Sequence, residues 1–395
     1  MIYQSDAFSM PAPRPLPPRP GGRLGLVLSG GGARGAYQVG VLKALSEMLP
    51  ADAPAPFAVI SGTSAGAIIA ALVAAHASHF REGVDSIERF WRNFHVDQVF
   101  RADTASMLRS GLHWTLALVT GGLVVRPPRS LFDNSPLRDT LERHVNFARI
   151  AQAIEHGHLE AIAINASAYQ SALSVAFYAS ANGTAPWTRA WRSGRPAELG
   201  LDHLMASAAV PFLFPPVFME GEYYGDGAMR QVSPLSPALH LGADRLLIIG
   251  VRPPAGSQIM PLSARGDAPS FGHLFGFMLD TLFMDGMQAD LERLQQENRL
   301  LEACGAGSRD HTRYIDAVAI MPREDFGVIA ERHADAAPPA LRVLLRTMGA
   351  ANPGGRTLLS YLLFEGSYTR ELIELGYADA MLRREALQEL VRSES

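Results

Sequence analysis

The sequence of 395 residues contains one cysteine, Cys304. No internal disulfide framework can therefore form, and a reducing compartment is the natural expectation. No strongly basic stretch stands out, and the formal net charge is -4, which argues against nucleic acid as a partner. Long hydrophobic runs are also missing. The longest, Leu112 to Val125, is broken by Gly121-Gly122 and falls short of the roughly 20 residues a bilayer-crossing helix needs. The first 22 residues hold no apolar signal-peptide core. Pro11 to Pro20, rich in proline and arginine, reads as a disordered or polyproline tail.

What is present describes a globular α/β chain. Hydrophobic residues make up 48% and charged residues 19%, enough to bury a sizeable core. Leu24 to Ser29 is a continuous apolar run bounded by glycines, the pattern of a buried parallel strand. Val39, Leu42, Leu45 and Leu49 then recur at helical spacing from Ala36 onward. A second apolar run, Phe57 to Ser61, leads into Gly62-Thr63-Ser64-Ala65-Gly66 and an Ala/Ile/Leu-rich helix ending near Ala77. Strand–helix–strand–helix order predicts two adjacent parallel strands joined by a right-handed crossover, with both following turns at one edge of the sheet. Further strands are expected over Leu159–Ser167, Ser171–Ser180, Phe218–Tyr224, Arg245–Val251 and Tyr314–Met321, the last able to extend the sheet. Helices are expected over Phe80–Phe94, Leu131–Val145, Asp202–Ala209, Phe271–Glu302 and from Ala336 to the end.

The second turn has the form of a nucleophile elbow. Gly62 and Gly66 flank Ser64 at two residues' distance, leaving room for a turn that strains the serine and brings strand and helix together. The helix behind it points amides and the positive dipole end at the serine. The alternative is an ordinary small-residue strand-to-helix turn. The first turn, Gly30-Gly31-Gly32-Ala33-Arg34-Gly35, can direct amides of three glycines at an oxyanion. It also matches Gly-x-Gly-x-x-Gly, the dinucleotide fingerprint. That fingerprint wants an acidic residue ending the next strand; here that strand ends at Ser61-Gly62, and Asp52 precedes it. No Gly-Lys-Ser/Thr follows, so a P-loop is excluded. For Arg34 the sequence leaves open a buttress for the loop, a contact with an anionic headgroup, or a surface salt bridge.

A serine nucleophile also needs a base. Asp226 sits between Gly225 and Gly227 after an aromatic segment, where a carboxylate can project into a site; a plain Asp-Gly turn is the bland alternative. His240, His273, His311 and His333 follow it, none in a recognisable turn. The residues alone leave the base open between Asp226 and an unidentified histidine.

Taken together, Gly30-Gly31-Gly32-Ala33-Arg34-Gly35, Gly62-Thr63-Ser64-Ala65-Gly66 and Asp226-Gly227-Ala228 resemble the motifs of the patatin-like phospholipase family in order and spacing. Ala206-Ser207-Ala208-Ala209-Val210-Pro211 with Phe214-Pro215 resembles a further block of that family, and the likeness covers about Arg23 to Val251. Leu359–Phe364 and Glu371–Ala380 resemble bacterial members more loosely. The resemblance implies an α/β, three-layer α/β/α fold with a mainly parallel central sheet. It implies a Ser64–Asp226 dyad with an acyl-enzyme, amides of Gly30, Gly31 and Gly32 as the oxyanion hole, and Arg34, Gly35, Gly62, Gly66 and Gly227 as motif support. The activity implied is phospholipase A-type lipid acyl hydrolysis. The alternatives kept open are an esterase or thioesterase on smaller soluble substrates and a non-catalytic nucleotide-binding protein. No cofactor and no metal are implied. The implied partner is a lipid or phospholipid at a membrane surface, with no nucleic acid, and the location expected is cytoplasmic with peripheral membrane contact. Oligomeric state is left open.

The expected organisation is a tail over 1–22, a catalytic domain over 23–252, a linker over 253–270 and a mostly helical extension over 271–395. Five lesser features have expectations of their own. The pairs His76/His79 and His156/His158 lack a third metal ligand. Asp280, Asp285 and Asp290 read as a solvated helix face, and Met287, Leu291, Leu294, Asn298 and Leu301 as a short seam that packs on the domain. Met278, Met284 and Met287 with Phe275, Phe277 and Phe283 read either as core or as an acyl channel. Leu112–Val125, with Trp114, reads either as a lid or lipid-contacting surface or as a buried helix pair.

Overall fold

The structure, a computed structural model, describes residues 22–392 apart from 122, 124, 127–128, 254–267, 305–312 and 351–354. The tail and most of the expected linker lie outside the described residues.

Ten strands form one mixed sheet. They are β1 (Leu24–Leu28), β2 (Val59–Thr63), β3 (Ala161–Ala168), β4 (Ser174–Ser180), β5 (Trp187–Arg189), β6 (Arg192–Pro196), β7 (Val217–Met219), β8 (Glu222–Asp226), β9 (Arg245–Ile249) and β10 (Asp316–Ile320). The order is β10-β9-β1-β2-β3-β4-β6-β5, with β8 on β3 and β7 on β8. From β10 to β3 every neighbour is parallel, whereas β3–β4, β3–β8, β5–β6 and β7–β8 are antiparallel. The parallel half reads as near-continuous apolar residues because helices cover both its faces. β1 and β2 are buried along their whole length.

Helices α1 (Ala36–Met48), α2 (Ala65–Ala75) and α3 (Phe80–Arg92) follow the first two strands. Every residue of α2 is buried, as its all-round apolar composition requires. The α3 helix instead buries one stripe, Phe80, Val84, Ile87 and Trp91, at helical spacing. Next come α4 (Thr104–Val119), α5 (Ser135–His144), α6 (Phe147–Glu155), α7 (Leu201–Ser207) and α8 (Ser236–His240). The C-terminal part holds α9 (Phe271–Asp280), α10 (Gly286–Cys304), α11 (Phe326–Arg332), α12 (Pro339–Thr347), α13 (Arg356–Leu362), α14 (Gly366–Leu382) and α15 (Arg384–Val391).

From β1 the chain steps one way to β2 and β3, and later the opposite way to β9 and β10. Right-handed crossovers therefore place α1 on one face and α8 to α10 on the other. They also open a crevice at the carboxyl ends of β1, β2 and β9, where strand order reverses. The glycine loop and Ser64 both emerge there.

The C-terminal part is bound into this arrangement. Its strand β10 joins the sheet in parallel beside β9, in the place that Tyr314–Met321 allows. Helix α14 packs along α1, where Gly376 and Gly40 let the two backbones approach.

Candidate active site

Ser64 stands between β2 and α2 with φ 54° and ψ -126°, a conformation that costs of order 1–3 kcal/mol for a residue with a side chain. Two glycines make it possible. A Cβ on Gly62 would lie 2.4 Å from the Gly66 carbonyl oxygen, and one on Gly66 would lie 2.5 Å from the carbonyl oxygens of Leu28 and Ser29. Side chains there would push α2 off the strands. The Ser64 amide donates to Ser207 Oγ at 2.9 Å, and Ser207 Oγ donates to the Asn165 carbonyl at 2.6 Å. Asn165 Nδ2 in turn donates to the Gly62 carbonyl at 2.9 Å and lies within reach of Ser61 Oγ and Thr63 Oγ1. The elbow is thus held from α7 and β3 as well as by its own chain.

Asp226 ends β8, paired with Ala166 of β3, and its turn closes tightly enough that a Cβ on Gly227 would meet the Asn165 carbonyl oxygen at 2.2 Å. The carboxylate accepts from the Ala228 amide at 2.9 Å through Oδ1. Its Oδ2 is buried without a hydrogen-bond partner, although the nearby Ser64 side chain favours the charged form. Burial dominates and pushes the carboxyl up to about 7, against the lowering contributions of Ser64 and Ala228. A carboxyl poised there takes a proton from a hydroxyl far more readily than one near its usual value.

The glycine loop lies against the serine. A Cβ on Gly30 would sit 3.0 Å from Ser64 Cβ and 2.5 Å from the Phe283 ring. Gly31 abuts Val251, Gly32 (φ 55°) abuts the Tyr361 carbonyl oxygen, and Gly35 packs on Trp91 and Ala65. From α1, Gln38 Nε2 donates to the carbonyls of Ser29 at 2.8 Å and Ile249 at 3.2 Å, tying the ends of β1 and β9 below the loop.

Arg34 is neither a surface salt bridge nor a free headgroup ligand. It is buried, donating to Asp280 Oδ1 and Ser360 Oγ, each at 2.8 Å, with its guanidinium 3.8 Å from the centre of the Tyr361 ring. Burial opposes its charge, but Tyr361 and Asp280 outweigh that and hold it above its ordinary value. This corrects the reading of Asp280 and Asp290 as solvated: Asp280 grips Arg34 and Tyr361, and Asp290 is buried, accepting from the Leu235 amide. The Asp285 and Met284 side chains lie outside the described residues.

Beside Ser64 and Gly32 is an apolar cavity of about 40 Å³, walled by Ile68, Trp91, Phe94, Val210, Phe214 and Phe364 among others. Phe283 and Met287 close the opposite side, over Gly30, Thr63 and Ala228, at a short π-helical turn (Thr281–Asp285) between α9 and α10. Ser64 itself is only 3% exposed. Asn298 bonds both ways with the Ile315 backbone, so α10 packs on the domain.

None of the described histidines borders this cavity. His240 stacks on Trp187 and bonds the Ser236 carbonyl, and His333 pairs with Glu371. His273 lies in α9, and His311 lies outside the described residues. His76, His79, His156 and His158 share a separate surface cavity. Among the described residues no three His, Cys, Asp or Glu side chains are grouped to hold a metal ion.

The model of the patatin-like phospholipase family matches residues 26–239, more than half of the chain. The chain belongs to that family. A lysophospholipase nte1 from Aspergillus oryzae is 29% identical over 235 residues, covering 58% of this chain and 12% of that protein. A cUMP-AMP-activated phospholipase from Escherichia coli is 53% identical over 49 residues, covering 12% of this chain and 15% of that protein. The chain thus spans only a small part of the length of these relatives. VipD from Legionella pneumophila overlays with a TM-score of 0.37 and 14% identity, over 94% of this chain and 67% of that one.

Proposed function

We propose that this patatin-like protein hydrolyses lipid acyl esters through a Ser64–Asp226 dyad. Ser64 Oγ attacks the ester carbonyl carbon while its proton passes to Asp226. The oxyanion accepts hydrogen bonds from amides of Gly30, Gly31 and Gly32, a contribution of about 2.7–4 kcal/mol for a single donor in comparable sites. As the carbonyl re-forms, the alcohol leaves with the proton from Asp226, and Ser64 keeps the acyl group. Water then adds with Asp226 as base, and the carboxylic acid departs.

One observation carries this reading: a strained serine beside a buried carboxyl whose proton affinity is raised to about 7, with a glycine loop against the serine. The apolar cavity at Ser64 supplies a place for the acyl chain. Its volume, about 40 Å³, also favours a second reading, an esterase on short acyl chains using the same residues. Phospholipase A-type cleavage at a membrane surface needs the cavity to widen. Phe283 beside Gly30 and Phe364 in the wall of the Ser64 cavity support reading the C-terminal part, through at least Phe364, as a piece of the catalytic unit.

Labelling by a fluorophosphonate probe, abolished by Ser64→Ala, tests the nucleophile. Purified protein assayed on lysophospholipids, phospholipids, triacylglycerols and short p-nitrophenyl esters then separates the two substrate readings. A folded protein that resists the probe and binds a dinucleotide would falsify both.

A further inference from the structure

Three stretches of this chain share a composition at odds with its net charge of -4. Thr104 to Ser130, Ala268 to Leu279 and Ala336 to Phe364 contain no aspartate or glutamate. They hold Arg109, Arg126, Arg129, Arg342, Arg346 and Arg356. Each stretch carries a surface helix, α4, α9 and α12 respectively. The helices are neighbours: the Gly272 amide donates to the Met348 carbonyl at 2.6 Å, tying the start of α9 to the end of α12, and α12 packs on α4.

Each outer face carries large apolar side chains among polar ones. On α4, Leu112 is 60% and Val119 81% exposed, and Leu123 just beyond it is 91% exposed. On α9, Phe271 is 63% and Phe277 65% exposed, and on α12 Val343 is 64% exposed. The expectation of a buried helix pair over Leu112–Val125 therefore fails, while the Trp114 side chain lies outside the described residues. Scattered apolar residues on a surface need no explanation, but a cluster of this size marks a contact. Arg109 on α4 and Arg346 on α12 are exposed, as are Arg126, whose carbonyl meets His113 of α4, and Arg129. Arg129 lies over the Tyr223 ring, Arg342 pairs with Asp335, and Arg356 turns inward to Asp325. The nearest acid on α9, Asp280, faces Arg34 rather than the surface.

We propose that this face docks on an anionic lipid bilayer. Apolar side chains that stand out separately from three helices enter a fluid phase without needing a matching pocket, and exposed arginines of the same stretches meet lipid phosphates. The face also adjoins the covered serine. The α9 helix runs through the π-helical turn into Phe283 on Gly30, and Val99, shortly before α4, lines the Ser64 cavity. The functional meaning of the docking rests on the hydrolase reading above; the docking itself does not.

The test is co-sedimentation of the full chain with vesicles of phosphatidylcholine alone and of phosphatidylcholine with phosphatidylglycerol. Binding to the anionic vesicles is expected to be at least about tenfold tighter and to weaken as salt rises. Val119→Asp with Phe277→Asp, and separately Arg109→Glu with Arg346→Glu, should each reduce it about tenfold or more. Turnover of a soluble p-nitrophenyl ester and circular dichroism report that the variants remain folded. Equal binding by folded variants, no binding to either vesicle, or a dimer that these substitutions dissociate would each overturn the proposal. Failure of the hydrolase reading shows separately, as absence of Ser64-dependent probe labelling with vesicle binding intact.

Discussion

The Arg34 guanidinium, behind the glycine loop, and the Asp280 carboxylate, at the end of α9, form a buried ion pair of 2.8 Å that spans the N-terminal motif and the C-terminal helices. Tyr361 completes it, donating to the same Asp280 oxygen at 2.9 Å while its ring faces Arg34. Its carbonyl rests where a side chain on Gly32 would fall. Removing one partner of such a pair leaves a buried charge alone, typically costing about 3–5 kcal/mol. Asp280→Ala is therefore expected to lower the melting temperature clearly and to reduce kcat more than it raises KM, because the loop loses its backing. Asp280→Asn, which keeps the hydrogen-bond acceptor, should recover part of both. Thermal melts and steady-state kinetics of the two variants check this, and unchanged kcat in a folded Asp280→Ala protein would remove the positioning role.

The pH profile follows from Asp226. Its carboxyl is raised to about 7 by burial, so the base form accumulates only as pH climbs through that region. The kcat/KM profile should rise with an apparent pKa near 7 and then level off. Stability runs the other way. The folded state holds the proton more tightly than the unfolded chain, so this group's contribution is full below the unfolded value and is lost as pH rises through about 7. Asp226→Asn should accordingly abolish turnover yet raise the melting temperature at pH 8 by several degrees, with little change at pH 4. A variant that is inactive and equally destabilised at both values would contradict the burial argument.

Much of this was legible in the residues, and the limits have physical causes. The pairing of β1 with β2, and hence the meeting of the glycine loop with Ser64, follows from two apolar runs, a helical crossover and its handedness. These are local signals with a strong topological rule. The partners of Arg34 were not legible, because Asp280, Thr357, Ser360 and Tyr361 lie hundreds of positions away and no periodicity links them. The same holds for Asn165 and Ser207. Ser207 stands in the block that resembles the family, and that was the available signal, but nothing in the chain says that its hydroxyl takes the Ser64 amide. The burial of Asp290 is not legible either, because acids along a helix are usually solvated, and only the fold reveals that this one caps the Leu235 amide.

Ser207 offers a prediction of its own. Its hydroxyl both accepts from the Ser64 amide and donates to the Asn165 carbonyl, so Ser207→Ala leaves two buried backbone groups without partners. A penalty of about 1–3 kcal/mol per orphaned group is usual. The strained Ser64 conformation should relax, lowering kcat and slowing fluorophosphonate labelling while KM changes little. Ser207→Thr, which keeps the hydroxyl, should retain more labelling if the extra methyl is accommodated. Equal labelling rates for wild type and Ser207→Ala would show that the elbow holds itself.

Phe283 is the residue whose removal should reveal how substrate enters. Its ring lies over Gly30, stacks on Tyr361 at 5.4 Å between centres, and with Met287 closes one side of the site. Phe-to-Ala changes in a core usually cost about 3–5 kcal/mol, but this ring sits at a π-helical turn, a geometry common at functional positions. Phe283→Ala is expected to destabilise the fold and still raise the relative rate on long-chain over short-chain p-nitrophenyl esters. Gly30→Ala should instead suppress turnover of every ester, since its methyl would collide with that same ring and crowd Ser64. The double variant Gly30→Ala/Phe283→Ala separates the two collisions. If the ring is the main obstacle, the pair recovers stability relative to Gly30→Ala; if the contact with Ser64 governs, activity stays lost. Chain-length profiles of all three variants decide it, and an unchanged profile for Phe283→Ala would mean that the acyl chain enters only through the cavity walled by Phe94 and Phe364.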